Sequence, residues 1–286
     1  MKTINSLSGG KTSSYIAANY PADYNIFALV RTDDKKCMFP DAKVRQMVSD
    51  KIGHEFIGTL EDDTIIYTML DLEQFIGQEI VWVTGKTFDE VITNKNGKTF
   101  IPQVNRRTCT SEMKVVPIKN WWFENINEPV EMRIGFRANE MSRAKTMLNK
   151  TDANGLQTEK FVVGSRGENR KWKEIKWRKP VFPLIDDGVF KDKVVEYWKD
   201  KPVRFAKFNN CIGCFHAEPI FLNMQSKCHP KKFEWFIEQE KKSMRDYNGR
   251  TWLMKDLTYE KIKNHRTQLE LFDTDFNECD SGYCGL

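Results

Sequence analysis

The chain has 286 residues, 40% of them hydrophobic and 30% charged, enough to bury a sizeable core as one large domain or one domain with a substantial appendage. A formal charge of +5 permits an anionic partner, nucleotide phosphates as readily as nucleic acid, and demands none. No apolar run approaches the roughly 18 residues of a membrane span, and no cationic-then-apolar leader opens the chain, so a cytoplasmic protein with no membrane partner is expected.

Ile4 and Leu7 with Thr3 read as a brief buried strand over residues 2–7. Ser8-Gly9-Gly10-Lys11-Thr12-Ser13-Ser14 follows, and Tyr15, Ile16, Ala17 and Ala18 belong to a helix over 11–20. Two glycines at a strand-to-helix turn let backbone N–H groups converge without a Cβ in the way. The positive end of the helix aims at the same point, and the hydroxyls of Ser8, Thr12, Ser13 and Ser14 add donors. That combination is a phosphate cradle; the alternative is a Gly-Gly turn with a Ser/Thr cap. The spacing is neither the Walker loop nor G-x-G-x-x-G.

Further along, residues 26–30 form an apolar run, 42–52 a helix, 54–60 a candidate strand, 62–75 a helix, 79–83 a strand, 111–123 a helix and 130–136 a strand. Such alternation predicts an α/β fold, a mainly parallel sheet with helices on both faces. Its ligands belong beyond the carboxyl ends of the strands, where the loop at Gly9 and Gly10 lies. Residues 149–159 and 164–176 are polar, rich in Lys, Arg and Asn, and read as loops. Helices follow at 189–197 and 233–244, three cysteines lie within 205–230, and 271–286 reads as an extended tail. The expected division is a nucleotide-binding α/β domain over 1–160 and a C-terminal cysteine-bearing region over 161–286.

Seven cysteines without an export signal argue for metal or redox chemistry rather than a disulfide framework. Cys37 stands alone. Cys211-Ile212-Gly213-Cys214 presents two thiols on one tight turn, as sulfur coordination of a metal requires. Zinc on Cys211, Cys214, Cys228 and His229 is one option, although Pro230 points to a helix start just after that pair. Cys109, in Arg106-Arg107-Thr108-Cys109-Thr110-Ser111, precedes a helix that Thr110 or Ser111 can cap. A thiol there, beside Arg106, Arg107 and Lys114, favours the thiolate.

These pieces resemble a known family. Ser8-Gly9-Gly10-Lys11-Thr12-Ser13 is similar to the pyrophosphate-binding PP-loop of the adenine nucleotide alpha-hydrolase superfamily. That loop is followed in order by Cys109-Thr-x-x-x-Lys114-x-x-Pro117, Ile134-Gly135-Phe136-Arg137-Ala138-Asn139-Glu140, Cys211-x-x-Cys214 and Cys279-Asp-Ser-Gly-Tyr-Cys284. Together they resemble the phosphoadenosine-phosphosulfate reductase family, in particular the stand-alone versions common in bacteriophages and mobile elements. The resemblance implies an adenine nucleotide, ATP or a relative, held by Ser8, Gly9, Gly10, Lys11, Thr12, Ser13, Gly135 and Arg137, with magnesium a candidate companion. It also implies a four-iron four-sulfur cluster on Cys109, Cys211 and Cys214, with Cys284 as fourth ligand or mobile thiol and zinc as the alternative metal. The chain departs from the cluster-bearing reductases where they have an adjacent Cys-Cys pair and it has Cys109-Thr110. It also divides their Glu-Cys-Gly tail context between Cys279, which follows Glu278, and Cys284, which precedes Gly285.

Two enzymatic functions follow. In the first, ATP adenylates a substrate that then receives sulfur, with Gly9, Gly10 and Lys11 stabilising the departing pyrophosphate and a nucleic acid or sulfur-carrier protein as partner. In the second, the Cys284 thiolate attacks a sulfonucleotide and a second thiol resolves the intermediate. A non-catalytic nucleotide or nucleic-acid binding module stapled by zinc is the alternative from another class. The basic stretch 166–178 with Trp172 and Trp177 could stack on bases, but a solvated loop whose tryptophans fold back onto the core is the preferred reading. Trp121-Trp122-Phe123 reads as core packing, and Arg137 at a strand's carboxyl edge suits a phosphate.

Overall fold

A computed structural model describes residues 1–103, 107–167, 169–208, 211–248 and 257–265. Its elements, in chain order, begin β1 (Thr3–Leu7), α1 (Lys11–Asn19), β2 (Tyr24–Leu29), α2 (Ala42–Ile52), α3 (Thr64–Ile76), β3 (Ile80–Thr84) and α4 (Phe88–Ile92). Then come α5 (Thr108–Thr110), a π-helical turn (Ser111–Val115), α6 (Val116–Asn125), β4 (Val130–Arg133), α7 (Met141–Leu148), β5 (Gln157–Arg166) and β6 (Asn169–Val181). The described chain ends with α8 (Pro183–Asp186), α9 (Lys191–Trp198), α10 (Pro219–Cys228), α11 (Pro230–Asp246) and α12 (Tyr259–Asn264).

The protein is α/β. Six strands form one sheet in the order β3-β2-β1-β4-β6-β5. β1 pairs in parallel with β2 on one side and β4 on the other, β4 pairs in parallel with β6, and β5 is antiparallel to β6. Central β1 buries Ile4, Asn5 and Leu7, as a parallel strand covered on both faces must. The buried Asn5 amide nitrogen donates to Asn25 Oδ1 and to the Tyr20 carbonyl, both at 3.0 Å. The sheet grows from β1 through β2 to β3 and then restarts at β4 on β1's other side. Loops leaving β1 and β4 therefore diverge, and the crevice between them is a topological switch point, where open α/β sheets take their ligands.

The chain forms two compact units, one from residues 1–27, 69–81 and 119–203, the other from 28–68, 82–118 and 204–286. In the first, β5 and β6 extend the sheet past residue 160. Phe161 and Trp177 pack on the fully buried Trp122, with ring centroids at 5.3 and 5.9 Å, so Trp122 is core as expected. In the second, Phe233, Trp235, Phe236, Ile212, Leu222 and Tyr259 centre one apolar cluster. α2 shows how local chemistry sets an element there. The Asp41 carboxylate accepts from the backbone N–H groups of Lys43 and Val44 at 2.8 and 3.1 Å, and Gly53 ends the helix in the left-handed region.

Several expectations are corrected. Residues 54–60 are not a strand; Gly58 makes isolated bridges to Thr32 and Met38, so the buried Phe56 and Leu60 belong to an irregular segment. The polar stretches 149–159 and 164–176 are not simply loops, because 157–166 and 169–181 pair as a long hairpin. Exposed on both faces over much of its length, that hairpin lacks the alternation that marks a half-buried strand. Neither Thr110 nor Ser111 caps a helix; the helix begins at Thr108 and passes through the π turn.

Candidate functional site

The glycine-bearing loop lies in the first unit. Gly9 has φ +80°, a left-handed conformation open to glycine at no steric cost, and it turns the chain out of β1 so that α1 begins at Lys11. Gly10 is the residue before the helix, and no side chain caps it. Helix geometry then leaves the N–H groups of Gly10, Lys11, Thr12 and Ser13 without an intrahelical acceptor, and the first helical bond runs from Ser14 N to Gly10 O at 3.1 Å.

The serine hydroxyls do not act as expected. Ser13 Oγ donates to Gly10 O and accepts from Ser8 N, each at 3.1 Å, and lies 3.1 Å from Ser8 Oγ. With its single proton spent on Gly10, Ser13 becomes a staple holding the loop, and the Ser8 hydroxyl is left to donate to it. Ser14 is fully buried. Backbone N–H groups, Lys11 and Thr12 are what the loop can offer an anion. The Lys11 carbonyl is held by Trp198 Nε1 at 2.9 Å, which anchors the helix start to α9.

The β4 loop approaches the same place. A Cβ on Gly135 would stand 3.5 Å from Thr12 Cγ2 and 3.6 Å from the Ser13 backbone, so that backbone lies against the start of α1. Arg137 is buried, with its Nε 3.2 Å from Glu140 Oε2 and its backbone N–H on the same oxygen at 2.9 Å. Glu140 also pairs with Arg143, which stacks 4.1 Å over the Phe136 ring. The guanidinium of Arg137 is thus held by a carboxylate that neutralises part of its charge.

The thiols lie in the second unit. Cys214 N bonds to Cys211 O at 3.0 Å, closing the turn between them, and Ile212 N donates to Leu60 O at 2.8 Å. Cys109 and Cys211 pack against the same apolar cluster. Tyr259 is buried beside them and donates its hydroxyl to Gly213 O at 2.6 Å. Burial, then Glu240, then the thiols of Cys214, Cys211 and Cys109 push that phenol well above its ordinary value, so it remains a donor. His216, two residues past the turn, is held below its ordinary value by burial and by Arg107. Lys114 bonds Glu61 at 2.9 Å with both side chains largely buried, at the end of a π turn, a feature frequent at functional sites.

The zinc set is not assembled. Cys228 is exposed at the end of α10, and His229 Nε2 is 3.2 Å from Asp62 Oδ2. Burial opposes ionisation of Asp62, but hydrogen bonds from His229 and Thr64 outweigh it and hold the carboxyl below its usual range. Among the described residues, no three His, Cys, Asp or Glu side chains gather closely enough to hold a single metal ion. Cys37 is buried, and burial with Asp34 nearby pushes its thiol up to about 12, an inert state. Arg106, Cys279 and Cys284 lie outside the described residues.

Sequence reasoning found the loop and the paired thiols but missed Tyr259, His216, Glu240 and Glu61. None sits in a short motif, so no local signal marked them. Among the described residues no helix is long and apolar enough to cross a membrane. No family model matches the chain, and no curated protein and no solved structure matches it.

Proposed function

We propose that the chain is an enzyme of the phosphoadenosine-phosphosulfate reductase type, with an adenine nucleotide alpha-hydrolase-like sheet, that adenylates a substrate with ATP and passes it sulfur. The observation that carries this reading is the uncapped start of α1, opened by Gly9 at φ +80° and set at the switch point between β1 and β4. Four N–H groups and the helix's positive end converge where no protein side chain caps them. A pyrophosphate group matches that field. In the reaction, a substrate nucleophile attacks the α-phosphorus, the bond from that phosphorus to the bridging oxygen breaks, and pyrophosphate leaves with the electron pair. Lys11 and the loop N–H groups stabilise the charge that develops on it. A sulfur nucleophile then displaces AMP from the adenylated substrate.

The cluster reading of the thiols rests on the resemblance, with Cys109 and Cys211 packed against one apolar cluster. A zinc ion draws all its ligands to one point, whereas an iron–sulfur cluster spreads thiolates over several irons. Cys109, Cys211 and Cys214 are the residues that would hold it, with Cys284 assigned by the resemblance, and the cluster would supply redox or sulfur chemistry. Their contribution is a set of thiols in an apolar surround, with Tyr259 and the Gly213 carbonyl fixing the turn.

Calorimetric titration tests the nucleotide reading. ATP binds the wild-type chain, and Gly9→Val and Lys11→Ala lower its affinity at least about tenfold, the equivalent of losing roughly 1.4 kcal/mol of phosphate contact. Unchanged affinity in both folded variants refutes the assignment. Tighter binding of phosphoadenosine phosphosulfate than of ATP would turn the reading to sulfonucleotide reduction.

A further inference from the structure

The β5–β6 hairpin does more than close the sheet. Residues 160–176 carry six Lys and Arg against two Glu, which is four of the chain's net +5 charges. Residues 162–165 and 169–174 are exposed, so among the described residues nothing covers either face of this part of the ribbon. The two tryptophans separate here. Trp177 is fully buried, while Trp172 is 55% exposed and sits opposite Val162, itself 41% exposed. Strand alternation places Arg170 and Glu174 on either side of Trp172 on that face, and Lys171 and Lys173 on the reverse. Glu174 is met by Lys160 across the ribbon at 4.0 Å, so the acid is balanced and the surplus charge is basic. An open hollow of ≈ 470 Å³, lined by Lys160, Trp172, Lys173 and Glu174, adjoins the indole.

Charge on an edge ribbon has a protective use, since it deters pairing with other edges. Protection does not account for Trp172 and Val162, which add apolar surface where an edge needs least of it. An exposed indole set among exposed cationic side chains is instead the combination that binds single-stranded nucleic acid. The ring stacks on a base, and lysine and arginine meet the phosphates. Bases within a duplex already have both faces covered by their neighbours, which makes a single strand the better match.

We propose that the exposed end of the 157–181 hairpin, with Trp172 and Arg170 on one face and Lys171 and Lys173 on the other, binds single-stranded nucleic acid. The inference stands on the ribbon alone and does not depend on the nucleotide loop. Fluorescence anisotropy of labelled oligo-dT and oligo-U with the full chain tests it, with urea unfolding of each variant as the control for folding. Trp172→Ala weakens oligonucleotide binding about 5- to 100-fold, while Trp172→Phe retains most of it. The triple variant Arg170→Ala/Lys171→Ala/Lys173→Ala lowers the salt slope by about 2, at about 0.7 per lost phosphate contact. Both keep the wild-type unfolding midpoint. Failure to bind any oligonucleotide at low salt overturns the proposal and leaves the face to a protein partner. Binding that both the alanine and triple variants retain, or equal binding of duplex, overturns it as well.

Discussion

A Cβ on Gly213 would lie 2.3–2.6 Å from three ring atoms of the buried Phe236, so the turn between Cys211 and Cys214 closes only because that residue has no side chain. We expect Gly213→Ala to destabilise the protein by about 1–3 kcal/mol, the usual cost of forcing extra volume into a packed core. Gly135→Ala is the contrast, because its Cβ would meet Thr12 and Ser13 at ordinary contact distances of 3.5–3.6 Å. Urea unfolding of the two variants decides it, and equal midpoints would mean Phe236 yields freely. The Cys-Ile-Gly-Cys spacing was legible as a tight turn, but nothing local shows that a ring from α11 fills the space above it. Ser13 teaches the same lesson at the loop. Its hydroxyl was read as a ligand donor, and its proton is spent on Gly10 O.

At the level of elements, α11 and α12 meet through a buried carboxylate. Glu240 Oε2 accepts the Tyr259 backbone N–H at 2.8 Å, and burial raises its pKa to about 7, with Glu260 adding to the shift and the Tyr259 bond opposing it. Its folded pKa lies above the unfolded value, so the folded state holds the proton more tightly. Stability from this group is therefore full below about 4.5 and is lost as pH rises towards 7. Glu240→Gln keeps an acceptor oxygen for Tyr259 and removes the charge. Between pH 5 and pH 8 we expect the wild type to lose about 1–2 kcal/mol more than this variant, measured by urea unfolding at each pH. Parallel pH dependences would show that Glu240 does not titrate in this range. Elements with a clear period were legible: α2 spans Ala42–Ile52, as its pattern predicted. The hairpin was not, because strands exposed on both faces need no alternation and their polar residues resemble those of loops.

Across the whole molecule, the metal question depends on residues about a hundred positions apart. Anaerobic preparation should yield brown protein whose iron is lost on Cys109→Ser and retained on Cys228→Ser, read by absorption and metal analysis. Stoichiometric zinc without iron would reverse the assignment. The sequence by itself determined the strand–helix alternation, the phosphate-loop pattern and the pairing of Cys211 with Cys214, because hydrophobic period and turn residues act over a few positions. Only the tertiary structure decided the strand order that puts a switch point beside Gly9, the packing of Cys109 and Cys211 on one apolar cluster, and which tryptophan of the basic stretch is exposed. Those outcomes depend on burial against chain segments far off in sequence, where Trp122 covers Trp177 while Trp172 stays 55% exposed. Short-range pattern carries no record of such contacts.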